Sequence, residues 1–193
     1  MYSNDLKRAS TTEIRNTFNK VGRIAVCSGG CSSVLYFILS SLFISYSKDG
    51  IPEQCNRPFD TVFFWLGICN GIMGAVTIGM ALVGREMISA KSHEYLAQKF
   101  RDEGRIEEAS SEDESYEEDV EQAKTLAAIP LCLYLFAQTG LMGAWFWGAF
   151  ATWGANVFCS QASNLFFWLL FFNFLTSCLS AGSGGSYGRG YRM

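Results

Sequence analysis

TVFFWLGICNGIMGAVTIGMALVG, residues Thr61–Gly84, runs for 24 residues without one Asp, Glu, Lys, Arg or His, bounded by Asp60 and Arg85. A bilayer core takes about 20 predominantly apolar residues of helix, so this stretch has the length of one membrane span. Two further charge-free stretches lie on either side of it: Ile24–Ser47, 24 residues, and Thr125–Gly188, 64 residues. The first fits one span. The second is too long for one and fits two joined by a short uncharged turn. All 33 charged residues of the 193-residue chain fall outside the three stretches. The pattern predicts an all-α membrane protein, a four-transmembrane-helix bundle with spans at Ile24–Ser45, Thr61–Val83, Leu126–Trp147 and Leu165–Leu179, the last beginning near Phe158.

Five segments follow: a polar N-terminal segment 1–23, a first hairpin 24–84, an acidic helical insert 85–124, a second hairpin 125–180 and a Gly-rich tail 181–193. Lys and Arg, rather than net charge, set orientation. The N-terminal segment, the insert and the tail together hold 13 Lys and Arg, against only Lys48 and Arg57 in the two short loops. Both termini and the insert are therefore expected in the cytosol, with the loops Lys48–Asp60 and Gly154–Ser163 on the other side. Met1–Lys20 is polar and lacks the apolar core of a cleavable leader. Its Lys7, Arg8, Arg15 and Lys20 alternate with Ser and Thr as in a mitochondrial presequence, but Asp5 and Glu13 run against that composition. A plasma-membrane or endomembrane location is expected over the mitochondrial inner membrane.

The topology assigns a side to each cysteine. Cys55 and Cys159 are the two placed outside, one in each loop. Disulfides persist in that compartment, so a Cys55–Cys159 bond is the expected staple between the hairpins. Two free thiols or an intermolecular bridge are the alternatives. Cys27, Cys31, Cys69, Cys132 and Cys178 fall inside spans or at their cytosolic ends, where Cys ordinarily packs as a small apolar residue. Cys27 and Cys31 stand one helical turn apart, but a zinc site needs four ligands and the chain has a single histidine, His93, expected to face solvent. No metal or cofactor is expected.

Small residues mark helix faces. Gly67, Gly71 and Gly74 lie on one face of span two; Gly140, Ala144 and Gly148 recur at every fourth position in span three. Such faces let helices approach closely in lipid. The economical expectation is that spans two and three pack through them; oligomerisation through one face is the alternative. The polar residues left in the spans include Asn70, Thr77, Gln138 and Asn173. Hydrogen bonding between helices is their ordinary use, and lining a pore is the sharper one. Trp145, Trp147 and Trp153 sit where interfacial anchors are found, and the abundant Phe residues suit a lipid-facing surface or a lipid groove.

The insert Arg85–Lys124 holds 13 acidic and 6 basic residues, net −7. Met87, Tyr95 and Phe100 recur at roughly helical spacing, and Gly104 marks a turn before the acidic run Glu107–Glu121. A solvated helix pair or connector is expected, with a docking surface for a basic cytosolic partner as the functional alternative. Ser110, Ser111 and Ser115 precede acidic residues and are candidate phosphorylation sites. Proton relays, voltage sensors and coupled transporters keep ionisable groups within the membrane, and these spans have no Asp, Glu, Lys, Arg or His. No Gly-rich phosphate loop, metal-binding His pair or nucleophile elbow is present. No nucleic-acid partner is expected.

Trp145-Phe-Trp-Gly148 through Trp153, then Cys159, then Leu165-Phe-Phe-Trp168, resembles the transmembrane-protein-272-like family of four-span proteins, and Pro52 and Cys55 match its first outer loop in kind. The resemblance implies four-span topology and no activity. Claudins and tetraspanins carry multi-cysteine outer loops that this chain lacks. A non-enzymatic structural, scaffold or accessory subunit of a membrane complex is the expected role, with membrane lipids and other subunits or further copies of itself as partners. A pore-forming subunit of an oligomeric channel and a lipid-binding tetraspan protein are the alternatives.

Overall fold

A computed structural model describes residues 10–171. Asn173, the end of the fourth expected span and the tail lie outside the described residues. Those described form four helices joined by short turns: α1 (Thr11–Asp49), α2 (Phe59–Asp102), α3 (Ile106–Thr152) and a shorter apolar helix α4 (Val157–Phe171) that opens with a 3-10 turn over Val157–Cys159. α1, α2 and α3 are each long and apolar enough to cross a membrane.

The 44 residues of α2 make a helix of about 66 Å at roughly 1.5 Å per residue, about twice the ~30 Å hydrocarbon core. The charged segment 85–124 is helical on both sides of one turn, continuous with the apolar parts of α2 and α3. That turn is built on Gly104, whose φ of 77° is the left-handed conformation that glycine adopts at least cost. The Gly104 N–H donates to the Arg101 carbonyl and the Arg105 N–H to that of Phe100, the paired closure of a glycine-capped helix end. α1 begins with a capping box: the Ser10 N–H donates to the Glu13 carboxylate at 2.8 Å and the Glu13 N–H to the Ser10 hydroxyl at 3.3 Å. The first of these bonds is the main reason the Glu13 carboxyl is held below its ordinary pKa.

The chain divides into two compact units, and each long helix contributes to both. The first comprises residues up to Leu39 with Cys69–Gln138. Ile14, Leu96, Phe100 and Ala109 form its buried cluster, with Phe18 and Tyr95 against them. Its helices come together at glycines. A Cβ on Gly29 of α1 would collide with the Ala81 methyl of α2, and one on Gly74 of α2 would lie 3.1 Å from the Phe37 ring of α1. A Cβ on Gly79 would lie 2.7 Å from Cγ of Pro130, the proline inside α3.

The second unit comprises Ser40–Ile68 and the chain from Thr139. Phe63 is fully buried at its centre, 6.0 Å from Phe43, 5.0 Å from Tyr46 and 6.5 Å from Phe166 between ring centroids. Phe59, Val62, Leu66, Ala144, Ala151, Cys159 and Ala162 complete the cluster. Gly67 takes Ile44 of α1, whose Cγ1 would stand 2.6 Å from an added Cβ, and Gly148 takes the Phe166 ring of α4.

The expected pairing of the small-residue faces is therefore corrected. Gly67 and Gly74 of α2 receive α1, and Gly148 of α3 receives α4. Gly79 of α2 stands opposite Pro130 of α3, and Ala144 of α3 shares a buried cluster with Val62, Phe63 and Leu66 of α2. Gly71 and Gly140 are half-buried, and Ala144 is buried. Spacing identifies a close-approach face, but the neighbour depends on how the helices fold back.

A proline ring cannot rotate out of the way as a longer side chain can. Gly79→Ala is expected to cost about 1–3 kcal/mol through overpacking, read as a lower thermal midpoint of the purified protein in detergent. Adding Pro130→Ala should recover most of that loss; a double variant no more stable than Gly79→Ala would show that the ring is not the obstacle.

Candidate functional site

Two groups of polar residues stand out, one in each unit. In the second unit the chain reverses twice, and the two turns are tied together. Cys55 and Cys159 are joined in a disulfide with Cα atoms 4.9 Å apart, across 104 positions of sequence. Asn156 supplies the polar half of the tie. Its side-chain oxygen accepts from the Cys159 N–H at 3.2 Å and caps the 3-10 turn. Its amide nitrogen donates to the Gln54 carbonyl at 3.0 Å, and its own backbone N–H donates to the Asn56 side chain at 3.1 Å. One asparagine thus satisfies groups in both loops. Gly154, with φ 74°, leaves room for the Arg57 guanidinium, whose terminal nitrogen would stand 2.6 Å from an added Cβ. Glycine is favoured at that position on conformational grounds, since the Arg57 side chain is long enough to shift.

In the first unit one carboxylate joins three helices. Glu112 of α3 is 8% exposed; its Oε1 accepts from Arg15 of α1 at 2.6 Å and its Oε2 lies 2.6 Å from Nδ1 of His93 of α2. The Nε2 of the same imidazole stands 3.7 Å from Oδ2 of Asp119, a buried oxygen without a hydrogen-bond partner. His93 was expected to face solvent; its side chain is instead 22% exposed and set between two carboxylates of α3. The correction arises at Gly104, which folds α3 back along α2 and brings residues 19 apart in sequence into contact. Neighbouring acids are also engaged: Asp113 pairs with Arg101, and Glu108 with Arg105. The Glu108 and Glu103 partners hold the Arg105 guanidinium above its ordinary pKa, and that guanidinium stands 4.5 Å over the Phe100 ring. The surface open to a basic partner is therefore smaller than the 13 acidic residues of the segment imply.

The other expected residues are dispersed. Thr77 donates its hydroxyl to the Met73 carbonyl of its own helix at 2.7 Å. Asn70 is buried and Gln138 half-buried, and Asn173 lies outside the described residues. Ser110 and Ser111 are exposed, whereas the Ser115 hydroxyl donates to the Ser111 carbonyl at 3.1 Å. Cys27 and Cys31 are exposed free thiols. Among the described residues no three His, Cys, Asp or Glu side chains are grouped to hold a metal ion. Arg15, Glu112, Asp119 and Asn156 were not singled out from sequence. Only the Ser10-Thr-Thr-Glu13 capping signature, four residues wide, offered a local signal near them.

Compared with protein-family models, with curated proteins and with solved structures, the chain matches none.

Peptide mapping without reductant should recover Cys55 and Cys159 in one disulfide-linked pair. Cys159→Ser should lower stability by about 2–4 kcal/mol, the usual scale for a native bridge; recovery of both as free thiols sinks the bond. Glu112→Gln should cost about 1–3 kcal/mol, because Arg15 and His93 lose a charged acceptor while Arg15 stays half in solvent. A double-mutant cycle with Arg15→Met measures the share of that pair, and a coupling indistinguishable from zero would remove it.

Proposed function

We propose that this chain is a four-span integral membrane protein that works by assembly, as a structural or accessory subunit of a membrane complex and without catalysis of its own. Three long apolar helices support the membrane assignment. The fourth span rests on the charge-free run that continues past Phe171 and on the resemblance to the transmembrane-protein-272-like proteins. The excess of Lys and Arg in segments 1–23, 85–124 and 181–193 puts both termini and the charged helix pair in the cytosol. The tied loops then lie outside, where a disulfide survives.

The observation that carries assembly is an unequal use of glycines. Gly67, Gly74, Gly79 and Gly148 are filled by neighbours within the chain. Gly30 of α1, Gly84 of α2 and Gly143 of α3 have nothing within 4 Å of an added Cβ. Lipid tails are as apolar as leucine, so helices associate in a membrane by close packing, which small residues permit. Burial points the same way. The most apolar stretch of α2 is 44% buried within the chain, against 11% in α1 and 6% in α3. α1 and α3 are the helices left to meet lipid or another subunit. On the cytosolic side Glu114, Glu117 and Glu118 remain exposed, with no ion pair among the described residues, as the positions for a basic partner.

Purification from native membranes in mild detergent should yield a species larger than one chain, either a homo-oligomer or a complex with other subunits. Gly143→Ile adds bulk where the chain itself has space, so its thermal midpoint should be unchanged while the larger species weakens roughly tenfold. A wild-type preparation that is a monodisperse monomer without partners would falsify the reading.

A further inference from the structure

A cleft of about 600 Å³ opens between α1 and α2 in the first unit, within the roughly 300–1,000 Å³ common for small-ligand sites. Its charged lining is Arg23, Arg85 and Glu86, with Asn19 and Ser89 as further polar groups. Neither arginine makes an ion pair among the described residues, and both are exposed. Their positions in the sequence are informative. Arg23 is the last charge before the uncharged stretch Ile24–Ser47, and Arg85 the first after Thr61–Gly84. Both therefore stand where an apolar helix leaves the hydrocarbon, at the depth of lipid headgroups. Val26 and Cys27, on the span side of Arg23, also line the cleft and continue it toward the acyl region.

From this arrangement we infer that the cleft binds the headgroup of phosphatidylserine, which rests on the membrane reading above. Basic pockets between transmembrane helices on the cytosolic side hold anionic headgroups, and arginine suits both phosphate and carboxylate because its planar fork bonds either in bidentate fashion. Phosphatidylserine presents a phosphate, a carboxylate and an ammonium. The cleft presents two guanidinium groups for the two anions and the Glu86 carboxylate for the cation. A purely anionic inositol phosphate would leave Glu86 facing like charge. Phosphatidylcholine would leave one guanidinium without its counterpart, and phosphatidylglycerol would leave one guanidinium and Glu86 without theirs. Gly22 forms part of the wall: a Cβ there would lie 3.6 Å from Cγ of Arg85 and 3.9 Å from Cγ2 of Ile88, in ordinary contact. Alanine fits at this position, and a longer side chain projects into the cleft.

Native mass spectrometry of the full chain in detergent, titrated with defined lipids, tests the assignment. Phosphatidylserine should be retained in preference to phosphatidylethanolamine, phosphatidylglycerol and phosphatidylcholine. Arg23→Gln with Arg85→Gln should weaken its binding roughly tenfold or more, each arginine near an anionic lipid surface contributing a severalfold gain. Lys20→Gln with Lys124→Gln removes the same charge away from the cleft and should change binding by less than about twofold. Glu86→Gln should reduce the preference over phosphatidylglycerol, and Gly22→Leu should block binding where Gly22→Ala does not. Equal losses in the two double variants, no preference for phosphatidylserine, or soluble phosphoserine binding as tightly as the lipid would each overturn the inference. Alkaline carbonate extraction of the same variants reports membrane insertion separately, so a chain that stays in the membrane yet shows no lipid preference defeats this inference alone.

Discussion

Peptide groups in hydrocarbon have no water to bond, so each must find its partner within its own helix. That constraint governs the rest of the structure. It explains why Thr61–Gly84 reads as one helix despite five glycines, residues that weaken helices in water. It also explains why α3 keeps Pro130: a proline in a membrane helix is accommodated where a neighbour fits around it, and here the neighbour is the bare face of Gly79. With the backbone satisfied internally, side chains are left to decide only how closely helices approach and which surface faces lipid.

Outside the hydrocarbon the same helices face the opposite problem. Charged side chains are well solvated there, and surface ion pairs contribute little, so a helix pair needs some apolar contact to stay together. The cluster of Ile14, Leu96, Phe100 and Ala109 supplies it, and Glu112 adds direction by accepting from α1 and lying against His93 of α2. At the loops the tie is covalent. The Cys55–Cys159 bond and Asn156 join two short segments.

Several features were legible because they are written in local composition. Runs without charge reveal spans, since burying one charged group in lipid costs more than a neighbouring residue can return. Gly104 followed by an acidic run announced a turn, and the structure places a left-handed glycine there. Topology made Cys55 and Cys159 a candidate pair before any geometry was known. Other features were not legible. His93 looks isolated in sequence because its two carboxylates lie on the next helix. Asn156 is one uncharged residue in a loop, and its partners Gln54 and Asn56 are about a hundred positions away. The faces around Gly67 and Gly148 could be seen, but which helix each receives could not.

The sequence alone determined which segments are helical and apolar, where the charges gather and which cysteines share a side, because transfer of side chains and backbone between water and hydrocarbon depends on composition over a short window. Only the tertiary structure decided that α1 fills the glycine face of α2, that Phe166 rather than a second glycine meets Gly148, that Glu112 is shared by three helices, and that Arg23 and Arg85 open onto one cleft. Those are contacts between residues distant in the chain, set by the angle at which each helix turns back, and a turn's angle is not recorded in the residues it brings together.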